Sequence, residues 1–147
     1  YALWYQLDDA PFGPGRGHER RWSWGLRTFG ESGPFDHNVE VILQTGGFGD
    51  GAIRAWTIAS DLGFTLPEAG SAPRLGLKAN ITSGDRDPLD GRLETFNPLF
   101  PNLAYFSDAA TIAPQNHSDL QLSVGWRASP TLILRVAGDV FWRTSAA

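Results

Sequence analysis

The feature that most constrains this chain is the alternation of apolar and polar residues with a period of two. It is clearest in residues 21–27, where the apolar set is Trp22, Trp24 and Leu26 and the polar set is Arg21, Ser23, Gly25 and Arg27. Successive side chains of a β-strand point to opposite faces of its sheet. The alternation therefore predicts a strand with one apolar and one polar face, whereas a helix would scatter the same residues around its circumference.

The same alternation recurs along most of the chain. With residues 1–8 and 21–27 it gives seven candidate strands, the other five lying in residues 38–45, 56–65, 74–82, 120–127 and 132–143. Each is about as long as the 9–11 tilted residues with which a strand crosses a bilayer. Ile42, Ile133 and Phe141 break the pattern. The sequence predicts an all-β fold: an antiparallel up-and-down meander of about seven strands, part of a larger transmembrane β-barrel.

The predicted connections differ in length. They are Asp9–Glu19, Gly30–Asp36, Gly46–Ala52, Pro67–Pro73, Gly84–Ser118 and the two-residue turn Ser129-Pro130. Outer-membrane barrels have long extracellular loops and short periplasmic turns. We therefore expect 84–118 to be extracellular, and 67–73 and 129–130 to be periplasmic.

Composition narrows the class of function. The 147 residues include 17 Gly and 10 Pro, which suits many turns, but no Cys, and the formal net charge of -4 argues against nucleic acid as a partner. The chain starts at Tyr1 inside a predicted strand, so we expect residues 1–147 to be a barrel segment that is incomplete at both ends. No nucleotide loop or zinc spacing occurs, so no cofactor and no metal are predicted.

Catalysis is not predicted either. The histidines His18, His37 and His117 lie in or next to predicted connections, and spacing places no nucleophile beside them. Glu40 and Asp61 could form the carboxylate pair of a polysaccharide hydrolase, but this alternative is disfavoured.

The polar positions of the strands are rich in arginine. A low-dielectric wall focuses such charge, and rings of Arg or Lys are the usual device of anion pores. In the alternative interpretation, the basic side chains pair with acids across strands and only stiffen the wall. The predicted conduit-lining residues are Arg27, Arg74, Lys78, Arg127, Arg135 and Arg143, with the acids Glu40, Asp61 and Asp139 on the same side.

Alternation alone leaves a second fold open. A soluble β-sandwich that binds carbohydrate has the same pattern, with its apolar face turned inward instead of toward lipid. That alternative predicts that Trp22, Trp56 and Trp126 are shielded inside a core.

The long connection has its own composition. Its aromatic and aliphatic residues Phe96, Leu99, Phe100, Tyr105 and Phe106 predict a loop that folds over or into the lumen as a constriction or lid, or else a cap without a gating role. Its carboxylates at 85–90 could hold Ca²⁺, but Asp-Pro and Asp-Gly favour a turn.

Several motifs in the second half of the chain resemble the alginate-export family of bacterial outer-membrane porins. They are Ser83-Gly-Asp-Arg-Asp87, Thr95-Phe-Asn-Pro-Leu-Phe-Pro101, Ala104-Tyr-Phe106, Gln115-Asn116, Asp119-Leu120 and Asp139-Val-Phe-Trp-Arg143. Upstream, Asp36-His-Asn-Val-Glu40 and Arg54-Ala-Trp56 are similar to preceding strands of that family. The resemblance covers about residues 20–143.

The resemblance implies an 18-stranded monomeric barrel in the bacterial outer membrane, of which this chain is the C-terminal part. It implies passive passage of an anionic polysaccharide or oligosaccharide such as alginate, with basic residues lining the conduit. The partners it implies are this polysaccharide, outer-membrane lipid and periplasmic export components.

Overall fold

The computed structural model describes residues 1–12, 15–99 and 115–146, and these residues contain β-strands and no helix. Eight strands form one sheet, confirming the all-β prediction. They are β1 (Ala2–Phe12), β2 (Gly15–Ser32), β3 (Phe35–Phe48), β4 (Gly51–Thr65), β5 (Arg74–Thr82), β6 (Arg92–Leu93), β7 (His117–Ser129) and β8 (Leu132–Arg143).

The sheet is an antiparallel meander in the order β1-β2-β3-β4-β5-β7-β8. The short β6 lies off this path and pairs in parallel with β4. The described sheet is not closed, which is consistent with part of a barrel.

Several strands are longer than predicted, and the connections between them are shorter. Most of the predicted connection Asp9–Glu19 belongs to β1 and β2, and β3 extends through Gly46 to Phe48. Glycine does not stop strand pairing and is required at position 46, where φ is +145° and a Cβ would lie 1.9 Å from the carbonyl oxygen of Arg20. The predicted connection Gly46–Ala52 was therefore too long: Gly49 and Asp50 form the turn, and the residues on either side continue the hydrogen-bonded ladder.

The two ends of the sheet differ in their connections. At the short-turn end, β2 and β3 are joined through Gly33 and Pro34, β4 and β5 through residues 66–73, and β7 and β8 through residues 130–131. At the long-loop end, β3 and β4 are joined through Gly49 and Asp50, and residues 83–116 lead from β5 to β7.

Burial is inverted relative to a soluble sheet. On β7, the side chains of Gln121 and Ser123 are only 5% and 8% exposed, whereas Leu122 between them is 63% exposed. The register aligns residues of the same face on neighbouring strands: Ser123 lies opposite Ala137 on one face, and Leu122 lies opposite Gly138 on the other. We call these the polar face and the apolar face. Ile42, Ile133 and Phe141, the exceptions to the alternation, lie on the polar face.

Aromatic side chains form two clusters on the apolar face. Phe35 and Phe64 are in contact near the short-turn end, with ring centroids 4.7 Å apart. Toward the long-loop end, Trp22 lies 4.9 Å from Trp4 and 5.3 Å from Trp24. Trp22 is opposite position 45 of β3, so the clusters are about 33 Å apart along the strand at ~3.3 Å per residue. A tilt of ~35–45° reduces this to about 25 Å across the sheet, the height of the apolar band of a transmembrane barrel.

The structure does not support the β-sandwich alternative. The described residues form one sheet rather than two, and Trp22 is 40% exposed instead of shielded in a core. Trp56 and Trp126 are partly exposed as well. Within the described residues, no helix is long and apolar enough to cross a membrane.

Candidate functional site

The antiparallel register brings the nine predicted lining residues to the polar face. Arg27 is opposite Glu40, Asp61 opposite Lys78, and Arg74 opposite Gly125, which in turn pairs with Arg135. The remaining three are Arg127 opposite Ile133, Asp139 opposite Gln121, and Arg143 opposite His117.

Arg74 is the centre of an ionic cluster that spans three strands. Its Nε donates to Asp36 Oδ2 at 2.8 Å, and its Nη2 donates to Asp61 Oδ1 at 3.1 Å. The other oxygen of Asp61 lies 3.8 Å from Lys78 Nζ. Arg74 and Lys78 are therefore neutralised by carboxylates, as the wall-stiffening alternative predicts for them.

Arg127 and Arg135 differ from Arg74, because neither is hydrogen-bonded to a carboxylate in the described part of the chain. Arg135 donates to Gln121 Oε1 at 2.9 Å, and Arg127 donates to the carbonyl oxygen of Pro130 at 3.3 Å. Both residues are exposed and, with Arg74, line a cavity of about 460 Å³ at the short-turn end. Their charge is available to a bound anion.

The other predicted lining residues are less strongly charge-paired. Arg143 is exposed at the long-loop end of β8. Three have neutral hydrogen-bond partners: Asn38 Oδ1 for Arg27 at 2.8 Å, the Tyr1 hydroxyl for Glu40 at 2.8 Å, and Gln121 Nε2 for Asp139 at 2.9 Å.

A buried polar cluster lies on the same face near the long-loop end. Arg21 is fully buried, and its Nε is 2.5 Å from Glu19 Oε1 while its Nη1 donates to Gln44 Oε1 at 2.7 Å. Sequence reasoning missed this ion pair because Glu19 was assigned to a connection. The alternation itself, extended two residues before Arg21, would have placed Glu19 on the polar face.

The long connection folds back onto this cluster. Gln44 holds the backbone of Asn97 from both sides: its Nε2 donates to the Asn97 carbonyl at 2.7 Å, and its Oε1 accepts from the Asn97 amide at 2.9 Å. Phe96 is 4% exposed and its amide donates to the Ser83 carbonyl at 3.0 Å. These contacts agree with a loop that folds over the polar face. Phe100, Tyr105 and Phe106 lie outside the described residues.

The start of the long connection is organised by local hydrogen bonds. The carboxylates of Asp85, Asp87 and Asp90 each accept from a backbone amide two residues ahead, as expected of the turn-forming alternative. Arg86 forms two 2.9 Å hydrogen bonds to Glu94, which lower the pKa of this carboxyl from its usual value.

A second buried network joins β5 to β7. Asp119 accepts from Asn80 Nδ2 at 2.7 Å and lies 3.1 Å from His117 Nε2, and His117 is 7% exposed. Glu19, Asp36 and Asp119 thus add three acids to the polar face that were not among its predicted residues. Its acidic and basic side chains are close to balanced. Among the described residues, the basic side chains of this face without a hydrogen bond to a carboxylate are those of Arg27, Arg127, Arg135 and Arg143, and Arg127 and Arg135 lie together at the short-turn end.

Comparison with known proteins decides the family. The family model described as alginate export matches residues 1–147. The chain belongs to the alginate-export family. No curated protein and no solved structure matches it.

Family membership indicates the general role of the protein. The alginate-export family is a transport family rather than an enzymatic one, and it implies a polysaccharide as the transported solute. Among residues 1–12, 15–99 and 115–146, no group of three or more His, Cys, Asp or Glu side chains could hold a metal ion.

Proposed function

We propose that the polar face lines a water-filled conduit through which an anionic polysaccharide or oligosaccharide, alginate-like in charge, crosses the bacterial outer membrane. The observation that carries this proposal is the inverted burial of the sheet. Large apolar side chains such as Leu122 and Val136 are 63% and 65% exposed, while polar side chains of the other face are buried. A sheet of this kind suits lipid on one side and hydrated solute on the other.

The proposed mechanism is passive diffusion without chemistry or a cofactor. A permeating polyanion needs several weak contacts rather than one tight site. Arg127 and Arg135 supply such contacts because guanidinium groups bind carboxylates and neither group is hydrogen-bonded to an acid of the described chain. Arg74 and Lys78 contribute less attraction because Asp36 and Asp61 already neutralise them.

The remaining lining residues serve as a polar wall. Arg27 and Glu40 are exposed or half-buried on the polar face, and they offer alternating charges along which a hydrated chain can slide. Outer-membrane lipid surrounds the apolar face, and periplasmic export components deliver the polymer to the short-turn end.

The test is charge reversal of Arg127 and Arg135 together to Glu in the full-length protein, reconstituted in planar bilayers. The permeability ratio of chloride to potassium is expected to fall several-fold, and block of the current by an oligouronate is expected to weaken. The matched control reverses two arginines away from the polar face, Arg16 and Arg92, with the same total charge change.

A neutral oligosaccharide of equal length provides the second comparison, and its passage should not respond to the reversal. Unchanged ion selectivity and unchanged oligouronate block in the Arg127→Glu, Arg135→Glu variant would reject the lining role.

A further inference from the structure

Two exposed arginines on the apolar face have no partner within the described residues. Arg20 and Arg54 are both exposed, and neither forms a hydrogen bond or ion pair there. Two other basic residues of β2, close to Arg20, do have acidic partners: Arg16 is 3.2 Å from Asp9, and His18 is 3.1 Å from Asp8. Unpaired cations on a face otherwise rich in Leu and Trp require an explanation.

The register places both arginines at the margin of the apolar band that is nearer the long-loop end. Arg54 is opposite Thr45, which is also opposite Trp22 of the tryptophan cluster. Arg20 precedes Trp22 by two positions, farther toward the long-loop end. Aromatic rings with a polar edge favour the level of lipid headgroups. The two guanidinium groups therefore lie at, or just beyond, that level.

The surface between the arginines is open. Arg20 is on β2 and Arg54 on β4, so β3 separates them. Two strand spacings of ~4.8 Å and an offset of two residues at ~3.3 Å each place their Cα atoms about 12 Å apart. On this face β3 contributes only Thr45 and Gly47, which are opposite Arg54 and Arg20. A small floor between two long cationic side chains can accommodate an anionic group.

A cavity of about 260 Å³ adjoins Arg54 at the long-loop end. Hydroxyl groups of Ser83, Thr144 and Ser145 are on residues that line it. The charged residues there are Arg86 and Glu94, which are bonded to each other. Ser83 and Thr144 are already hydrogen-bonded within the chain, through Glu94 and Ser118, so what the cavity offers an anionic group is space beside the guanidinium of Arg54.

We propose that Arg20 and Arg54 bind the phosphate groups of a membrane glycolipid whose acyl chains pack on the apolar face below them. The proposal rests on the proposed function, in which the sheet spans the outer membrane with its long-loop end at the outer leaflet. Guanidinium groups bind phosphate in a bidentate manner, and each basic residue near an anionic membrane surface strengthens binding about fivefold. Acyl chains below the phosphates would contact the exposed side chains Trp22, Trp24 and Leu43.

The experiment compares the full-length protein with its Arg20→Gln, Arg54→Gln variant in detergent, using diphosphorylated lipid A as the probe and native mass spectrometry as the readout. The variant is expected to bind the probe about 25-fold more weakly, as two contributions of about fivefold imply. Wild type is also expected to bind dephosphorylated lipid A more weakly than diphosphorylated lipid A, and nearly as weakly as the variant does.

The matched control is the Arg16→Gln, Arg92→Gln variant, which removes the same charge from exposed arginines that already have acidic neighbours. It should bind lipid A like wild type, and heat-dependent mobility in SDS gels confirms that each variant is folded. Equal lipid A binding by wild type and the Arg20, Arg54 variant, or equal binding of the phosphorylated and dephosphorylated probes, would overturn the proposal. If the wild-type protein bound lipid A but formed no conducting pore, this result would contradict only the transport function.

Discussion

At the scale of single residues, glycine makes the ionic cluster of the polar face possible. The guanidinium of Arg74 lies across Gly63 of β4, so that a Cβ built on Gly63 would be 2.3 Å from Arg74 Nε and 2.2 Å from Asp36 Oδ2. The pair can lie flat against the wall because this position has no side chain. The Arg74–Asp36 ion pair therefore depends on the absence of a side chain at position 63.

Gly63→Ala is expected to displace the Arg74–Asp36 ion pair and to destabilise the folded sheet by about 1–3 kcal/mol, the usual cost of overpacking. Urea unfolding of the full-length protein in lipid vesicles measures this. The control is Gly138→Ala, because a Cβ at Gly138 meets nothing within 4 Å. Equal stability of Gly63→Ala and wild type would show that the pair tolerates a side chain at position 63.

At the scale of elements, the long connection is held by its contacts rather than left free over the polar face. The strand β6 pairs with Ala52 and Ile53 of β4, and Gln44 clamps Asn97 five residues after Arg92. Ile53 is 2% exposed, so this segment covers the polar face near the long-loop end. We expect this segment to narrow the proposed conduit along the polar face.

Gln44→Ala in the full-length protein is expected to release the segment around Asn97 and to raise single-channel conductance, because both hydrogen bonds to Asn97 are lost. Gln44→Glu should have a smaller effect on conductance, since a carboxylate still accepts from the Asn97 amide. Gln6→Ala, an exposed glutamine of β1, is the control. Conductance of Gln44→Ala equal to that of wild type would argue against a constriction at this point.

The periodicity predicted the strands and their faces because strand geometry has a fixed period that the sequence displays directly. It did not predict strand ends, since Gly46 and Gly47 have no side chain to mark a face yet still pair with β2. Nor could it predict which charges pair. The contact of Arg74 with Asp36 depends on a register across β3, β4 and β5 that only the folded sheet sets. The clamp between Gln44 and Asn97 joins residues far apart in sequence, and no local pattern signals it.

At the scale of the whole molecule, the proposed transport function depends on the orientation of the two faces. The apolar face exposes Leu26, Leu122 and Val140 at 76%, 63% and 65%, which is costly in water and favourable in lipid. The polar face has the opposite preference. A membrane over the apolar face and hydrated solute over the polar face, as in the proposed function, would satisfy both preferences.

Leu122→Arg should therefore destabilise the membrane-inserted protein by up to about 2–4 kcal/mol, the cost of a basic side chain at mid-bilayer depth. Ala137→Arg is the control, because Ala137 is exposed on the polar face of the neighbouring strand. Unfolding titrations in vesicles compare the two variants. Similar destabilisation by both would mean that position 122 does not meet hydrocarbon.

The most direct test of face orientation is a cysteine scan of positions 134–140 on β8, since the chain has no cysteine of its own. Each single-cysteine variant of the full-length protein is reconstituted in vesicles and treated with a charged, membrane-impermeant thiol reagent. An apolar face in contact with lipid predicts fast labelling at 135, 137 and 139 and protection at 134, 136, 138 and 140. Fast labelling of 134, 136, 138 and 140 instead, or equal labelling at all these positions, would contradict lipid contact of the apolar face.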